Sequence, residues 1–199
     1  MSVPIDSIAG CRQAHQKLDT VLGGMADDVA RSLSLVTGWT VGHVLSHLAR
    51  NTEAMHTRIG AALEGRMVEQ YPGGAAGRAA MIEAGAGRPT VVIIDDVRTW
   101  SARLDEQFAA LAPQDWERPV RTVAGGEHPV GDLPFRRWRE VEVHLVDLGL
   151  SVTPADWPDD LVDACLPRLL ASLSRRCDQR ELMAWLFGRG TAPDLAPWA

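Results

Sequence analysis

Residues 139–149 read REVEVHLVDLG, and how this run folds decides the class of the whole chain. Val141, Val143 and Leu145 alternate strictly with Glu140, Glu142 and His144, which is the pattern of a half-buried strand. As a helix, the same run stacks Glu140 over His144 one turn apart, so that a carboxylate and an imidazole face one point. The flanking residues favour the helix. Asp132 is placed to cap it, Pro134 suits its first turn, and Gly149 suits the position just past its end. These signals lie about seventeen residues apart, well beyond a typical strand of about five or six. A sheet would also need neighbouring strands, and the remaining sequence offers almost none.

Helical spacing of apolar residues predicts further helices from Ile5 to about Val29, from Val41 to about Leu63 with Thr40 as N-cap, from Ala75 to Ala84, and from Thr90 to Leu111. The run VVII at 91–94 looks like a strand alone, but Val97, Trp100, Leu104, Phe108 and Leu111 carry on at spacings of three and four. Between Pro113 and Asp132 the sequence predicts a long connection with a short hairpin around Gly125 and Gly126. Two shorter helical patterns follow Thr153. The expected class is therefore all-α: a four-helix bundle over residues 1–153, with a short helical C-terminal extension over 154–199 packed on it.

A net charge of −6 with no basic run argues against binding nucleic acid through its phosphates. No apolar run is long enough to span a bilayer, and the first residues lack the pattern of a secretory signal. Cys11, Cys165 and Cys177 are widely spaced and form no Cys-x-x-Cys pair, which predicts reduced thiols and a cytoplasmic protein.

On the second long helix, His43 and His47 repeat the four-residue spacing of Glu140 and His144. A metal between facing helices can draw on both pairs. Two histidines and a carboxylate suit zinc with one position open, and equally suit a non-haem iron(II) oxygenase. His15, His56 and His128 lack such partners and are expected at the surface or in caps.

The runs GWTVGHVLSHLARN, Gly38 to Asn51, and RRWREVEVHLVDLGL, Arg136 to Leu150, resemble the paired motifs of the mycothiol-dependent maleylpyruvate isomerase family, part of the wider DinB-like metal-binding bundles. YPGGAAGRAAMIEAGAGR, the Trp-containing helix after it, and WLFGRG continue the likeness. The resemblance implies a DinB-like four-helix bundle with a divalent metal, normally zinc, on His47, Glu140 and His144. It implies no ligand role for His43. It further implies mycothiol as thiol cosubstrate, activated by the metal to attack a small electrophilic substrate, either isomerising a cis double bond or displacing a leaving group.

Arg78, Arg139 and Arg189 match family arginines. Of these, Arg78 and Arg189 are the candidate catalytic groups for an anionic substrate, and Asn51 and Arg78 the candidate cofactor-binding residues. Asn51 and Asp147, one turn beyond His47 and His144, are placed to orient those ligands. Full-length isomerases of the family carry a C-terminal α/β domain, for which only CDQR remains between the last two helical patterns. Three classes follow: a zinc-dependent, mycothiol-using isomerase or S-transferase; an iron(II) oxygenase; and a non-catalytic metal- or ligand-binding bundle with a closed four-ligand site. Related bundles commonly dimerise, so a homodimer is expected, although no stretch defines its interface.

Overall fold

The computed structural model describes residues 3–26 and 28–196. The chain divides into two compact units, Met1–Pro154 and Ala155–Ala199. The first contains α1 (Ile5–Gly23), α2 (Val41–Leu63), α3 (Gly74–Ala86), α4 (Thr90–Ala110) and α5 (Leu133–Asp147). The second contains α6 (Asp159–Leu173) and α7 (Gln179–Leu186). The only strands among the described residues, β1 (Pro119–Arg121) and β2 (Glu127–Pro129), pair antiparallel with Val120 opposite His128. Among the described residues no helix is long and apolar enough to cross a membrane.

The bundle is formed by α1, α2, α4 and α5. The principal pairings are α1 with α5 and α2 with α4, while α3 packs on α2. REVEVHLVDLG is helical. Its buried stripe runs Arg137, Trp138, Val141, Glu142 and Leu145, the three-and-four spacing of a helix face, and Gly149 takes φ +69 just beyond. Glu142 therefore points away from Glu140 and pairs with Lys17 of α1 at 2.7 Å.

Several predicted boundaries move for local reasons. α1 stops at Gly23 rather than near Val29, where two successive glycines each disfavour the helix by about 1 kcal/mol. Asp27, inside that expectation, lies outside the described residues. Asp132 does not cap α5 with its side chain. A 3-10 turn over Val130–Asp132 runs straight into the helix, so Asp132 already has helical angles. α3 continues through Gly85 to Ala86 because α2 lies close there. A Cβ on Gly85 would sit 2.6 Å from Ser46 Oγ, and one on Gly42 would sit 2.6 Å from Ala86 O.

Within the core a buried polar network joins all four helices. Arg137 of α5 is fully buried. Its Nε donates to His15 Nε2 of α1 at 3.0 Å, and its Nη1 donates to Leu48 O and Asn51 Oδ1 of α2, both at 3.1 Å. His15 Nδ1 in turn reaches the Asp105 carboxylate of α4 at 3.0 Å. An arginine can only donate, so His15 accepts at Nε2 and donates from Nδ1 to Asp105. The expectation of a surface or capping histidine at position 15 is overturned: its ring is buried.

Beside the network the Trp138 ring of α5 packs against Gly10 of α1, where a Cβ would lie 2.4 Å from that ring. Gly10→Val is expected to lower stability by about 2–3 kcal/mol, because overpacking outweighs the gain in helix propensity of losing a glycine. That corresponds to a melting temperature lower by roughly 4–12 °C for a chain of this size, measurable by circular dichroism. Arg137→Met leaves His15, Asn51 and a backbone carbonyl without their donor. It is expected to cost at least about 3 kcal/mol in urea unfolding.

Candidate metal centre

The seam between α2 and α5 brings the candidate metal ligands together. α2 begins at a cap in which Thr40 Oγ1 accepts from the His43 backbone N–H, while His43 Nδ1 accepts from the Thr40 N–H at 3.2 Å. His43 Nε2 reaches Glu83 at 3.2 Å. This ring thus serves the helix terminus and α3, which removes it from a closed four-ligand site. Trp39 lies against both His43 and His47, with ring centroids 6.1 and 5.8 Å away.

One turn further along α2, His47 is buried and its Nε2 lies 2.7 Å from Glu140 Oε1 of α5. His144 Nε2, a turn beyond Glu140, lies 3.5 Å from the same oxygen. The two imidazoles meet edge to face at 4.7 Å between centroids. One ligand atom from each of His47, Glu140 and His144 lies within 4.8 Å of the others. Two imidazole nitrogens and a carboxylate oxygen, converging from two facing helices, fit a divalent transition ion.

Groups behind the three donors hold them in place. His144 Nδ1 is 2.8 Å from Asp147 Oδ2, and His47 Nδ1 is 3.1 Å from Arg78 Nη2 of α3. Since Arg78 can only donate, His47 accepts at Nδ1 and presents its N–H at Nε2 to Glu140. Burial pushes the His47 pKa down to about 4 against the pull of Glu140. Burial also acts to raise Glu140, but its interactions with His144 and His47 win and hold the carboxyl well below its usual range. His144 rises to about 9: burial opposes its charge, and Asp147 and Glu140 together outweigh burial. An ionised carboxylate and a neutral His47 are two of the three protonation states that ligation requires.

The other residues singled out in the sequence take different places. Asn51 is buried, with Oδ1 accepting from Arg137. Arg139 is half-buried on α5. Arg189 belongs to the second unit, where it is exposed and its Nη1 lies 3.4 Å from Gly188 O.

A second group, Cys11, His15 and Asp105, also brings potential ligand atoms within 4.8 Å. Here the Arg137 guanidinium already occupies the Nε2 lone pair of His15, and burial pushes the Cys11 thiol up to about 12, so it stays protonated. This group belongs to the core. Cys11 and His15 stand four residues apart on α1, but the partners that define the group, Asp105 and Arg137, come from α4 and α5, so His15 reads as isolated in the sequence.

Comparison with known proteins agrees with this architecture. Two solved structures of the mycothiol-dependent maleylpyruvate isomerase, one of them a histidine-to-alanine mutant, each superpose with a TM-score of 0.76 at 24% sequence identity. Each match covers 80% of this chain and 66% of the solved one, so the chain spans just under two thirds of those proteins. At this identity the likeness establishes the shared helical fold. No curated protein sequence matches the chain. The family model described as the mycothiol maleylpyruvate isomerase N-terminal domain matches residues 11–149, which take in both the histidine motif of α2 and the Glu-His motif of α5, and the chain belongs to that family.

Proposed function

We propose that the first unit is the catalytic domain of a metal-dependent enzyme that uses mycothiol as its thiol and acts on a small electrophilic substrate bearing an anionic group. The observation that carries this reading is the convergence of His47, Glu140 and His144 within 4.8 Å at the seam of two bundle helices. These three residues would hold a divalent ion, zinc by its donor preference, which supplies the Lewis acidity that removes the proton from a thiol at neutral pH.

The remaining roles fall to the chain's own side chains. Glu140 fixes the spacing of the two imidazoles, and Asp147 fixes the rotation of His144. Trp39 walls the His47 side against water. His47 can ligate through Nε2 only with its proton on Nδ1, and that tautomer no longer accepts from Arg78. Occupation of the cluster thus frees the Arg78 guanidinium to pair with an anion beside the reacting groups, which supports Arg78 as the substrate-binding arginine and a contact for the thiol. Arg189 is proposed as a second such arginine on the family resemblance alone. Asn51 is assigned to the core network rather than to the cofactor.

Incubated with mycothiol and a panel of cis-unsaturated carboxylates and alkylating electrophiles, the protein is expected to turn over at least one of them. Product formation that continues unchanged without added thiol would remove mycothiol from the account. Arg78→Ala is expected to raise KM for the anionic substrate roughly tenfold or more while the metal content stays at the wild-type level. Steady-state kinetics beside elemental analysis of the same samples checks both halves of that statement.

A further inference from the structure

The second unit does not bury its own apolar surface. Of its described residues only Leu161 and Leu182 are buried, yet nine of the eighteen exposed large hydrophobic side chains among the described residues lie in it. Chain segments of this size seldom form a sufficient core alone. Four of the nine, Val162, Leu166, Leu169 and Leu170, lie on α6, and they are 36%, 47%, 38% and 58% exposed. At 100° per residue they form one stripe about 100° wide, with half-buried Leu173 on the same line. Leu161, the residue that α6 buries, lies on another face.

Charge along α6 is segregated end to end. Asp159, Asp160 and Asp163 occupy its first half, whereas Arg168 lies in its second half and Arg175 and Arg176 follow just beyond its C-cap Ser174. A helix with this distribution complements a reversed copy of itself. Leu166 is its central residue. A two-fold axis at Leu166 sets Val162 opposite Leu170 and places the acidic first turn of each copy beside the arginines of the other. Opposed helix dipoles favour the same arrangement. A single patch that meets itself about a two-fold axis gives a closed dimer, whereas a parallel pairing would set like charges together.

We infer that α6 is a homodimerisation helix, packing antiparallel on α6 of a second copy of this chain through Val162, Leu166, Leu169 and Leu170. The inference is independent of what the metal centre does.

The test is sedimentation velocity of the full chain across the micromolar range. The wild type is expected to sediment at twice the chain mass of 21.6 kDa. The double variant Leu166→Asp, Leu170→Asp is expected to weaken association roughly thirtyfold or more with unchanged far-UV circular dichroism, since both side chains are exposed within one chain. Asp159→Arg is expected to weaken the dimer roughly tenfold, and adding Arg175→Asp to restore it. A wild type that stays monomeric would overturn the inference and leave the stripe to a different protein or segment. A dimer indifferent to the leucine changes would place the interface elsewhere, and failure of the paired charge reversal would overturn the antiparallel geometry.

Discussion

Glu140 is drawn out of bulk water between two imidazoles, and the placement of the surrounding helices follows from that constraint. A carboxylate in such surroundings carries a desolvation penalty of several kcal/mol unless partners compensate it. Here the partners come from two helices: His47 from α2 at 2.7 Å and His144 from the next turn of α5 at 3.5 Å. That geometry demands a fixed register between α2 and α5. The cap at Thr40 and His43 sets where α2 begins, and the close approach of Gly85 to Ser46 sets how α3 lies on it. Arg78 reaches His47 Nδ1 because α3 is held so near.

A second polar layer secures the same register from within the core. Arg137 sits one turn before Glu140 on α5, and its guanidinium spans to Leu48 O and Asn51, the turn of α2 that follows His47. Through His15 and Asp105 the connection extends to α1 and α4. Buried ionic networks of this kind contribute little net stability compared with apolar packing, but they penalise sliding of one helix along another, because each shift leaves a buried donor or acceptor without its partner. The two layers differ in chemistry as well. One presents lone pairs to a shared point, whereas in the other a permanent cation fills that point.

Much of this architecture was legible in the sequence where the signal is local. Thr40, Pro134 and Gly149 mark helix ends through their own backbone chemistry, and the three-and-four spacing of apolar residues survived even the strand-like runs VVII and REVEVHLVDLG. The four-residue spacing of Glu140 and His144 was readable in the same way. Signals that depend on distant partners were not. His15 reads as an isolated polar residue, because its partners lie 90 and 122 residues away. Arg139 matches a family arginine in sequence, but it is Arg137, two positions earlier on α5, that the helix turns fully into the core. Asn51 shows the same limit: its place one turn from His47 was legible, whereas the direction of its hydrogen bond was set by α5.

Calorimetric titration of zinc into protein freed of metal, wild type beside Glu140→Gln, tests the central claim most directly. The substitution keeps the size of the side chain and removes the charge that two imidazoles share. The account predicts about one tightly bound ion per wild-type chain, and an affinity weakened roughly a hundredfold in the variant at unchanged helical content. Equal stoichiometry and affinity in the two proteins would contradict it, and would leave the α2 and α5 motifs with a purely structural role.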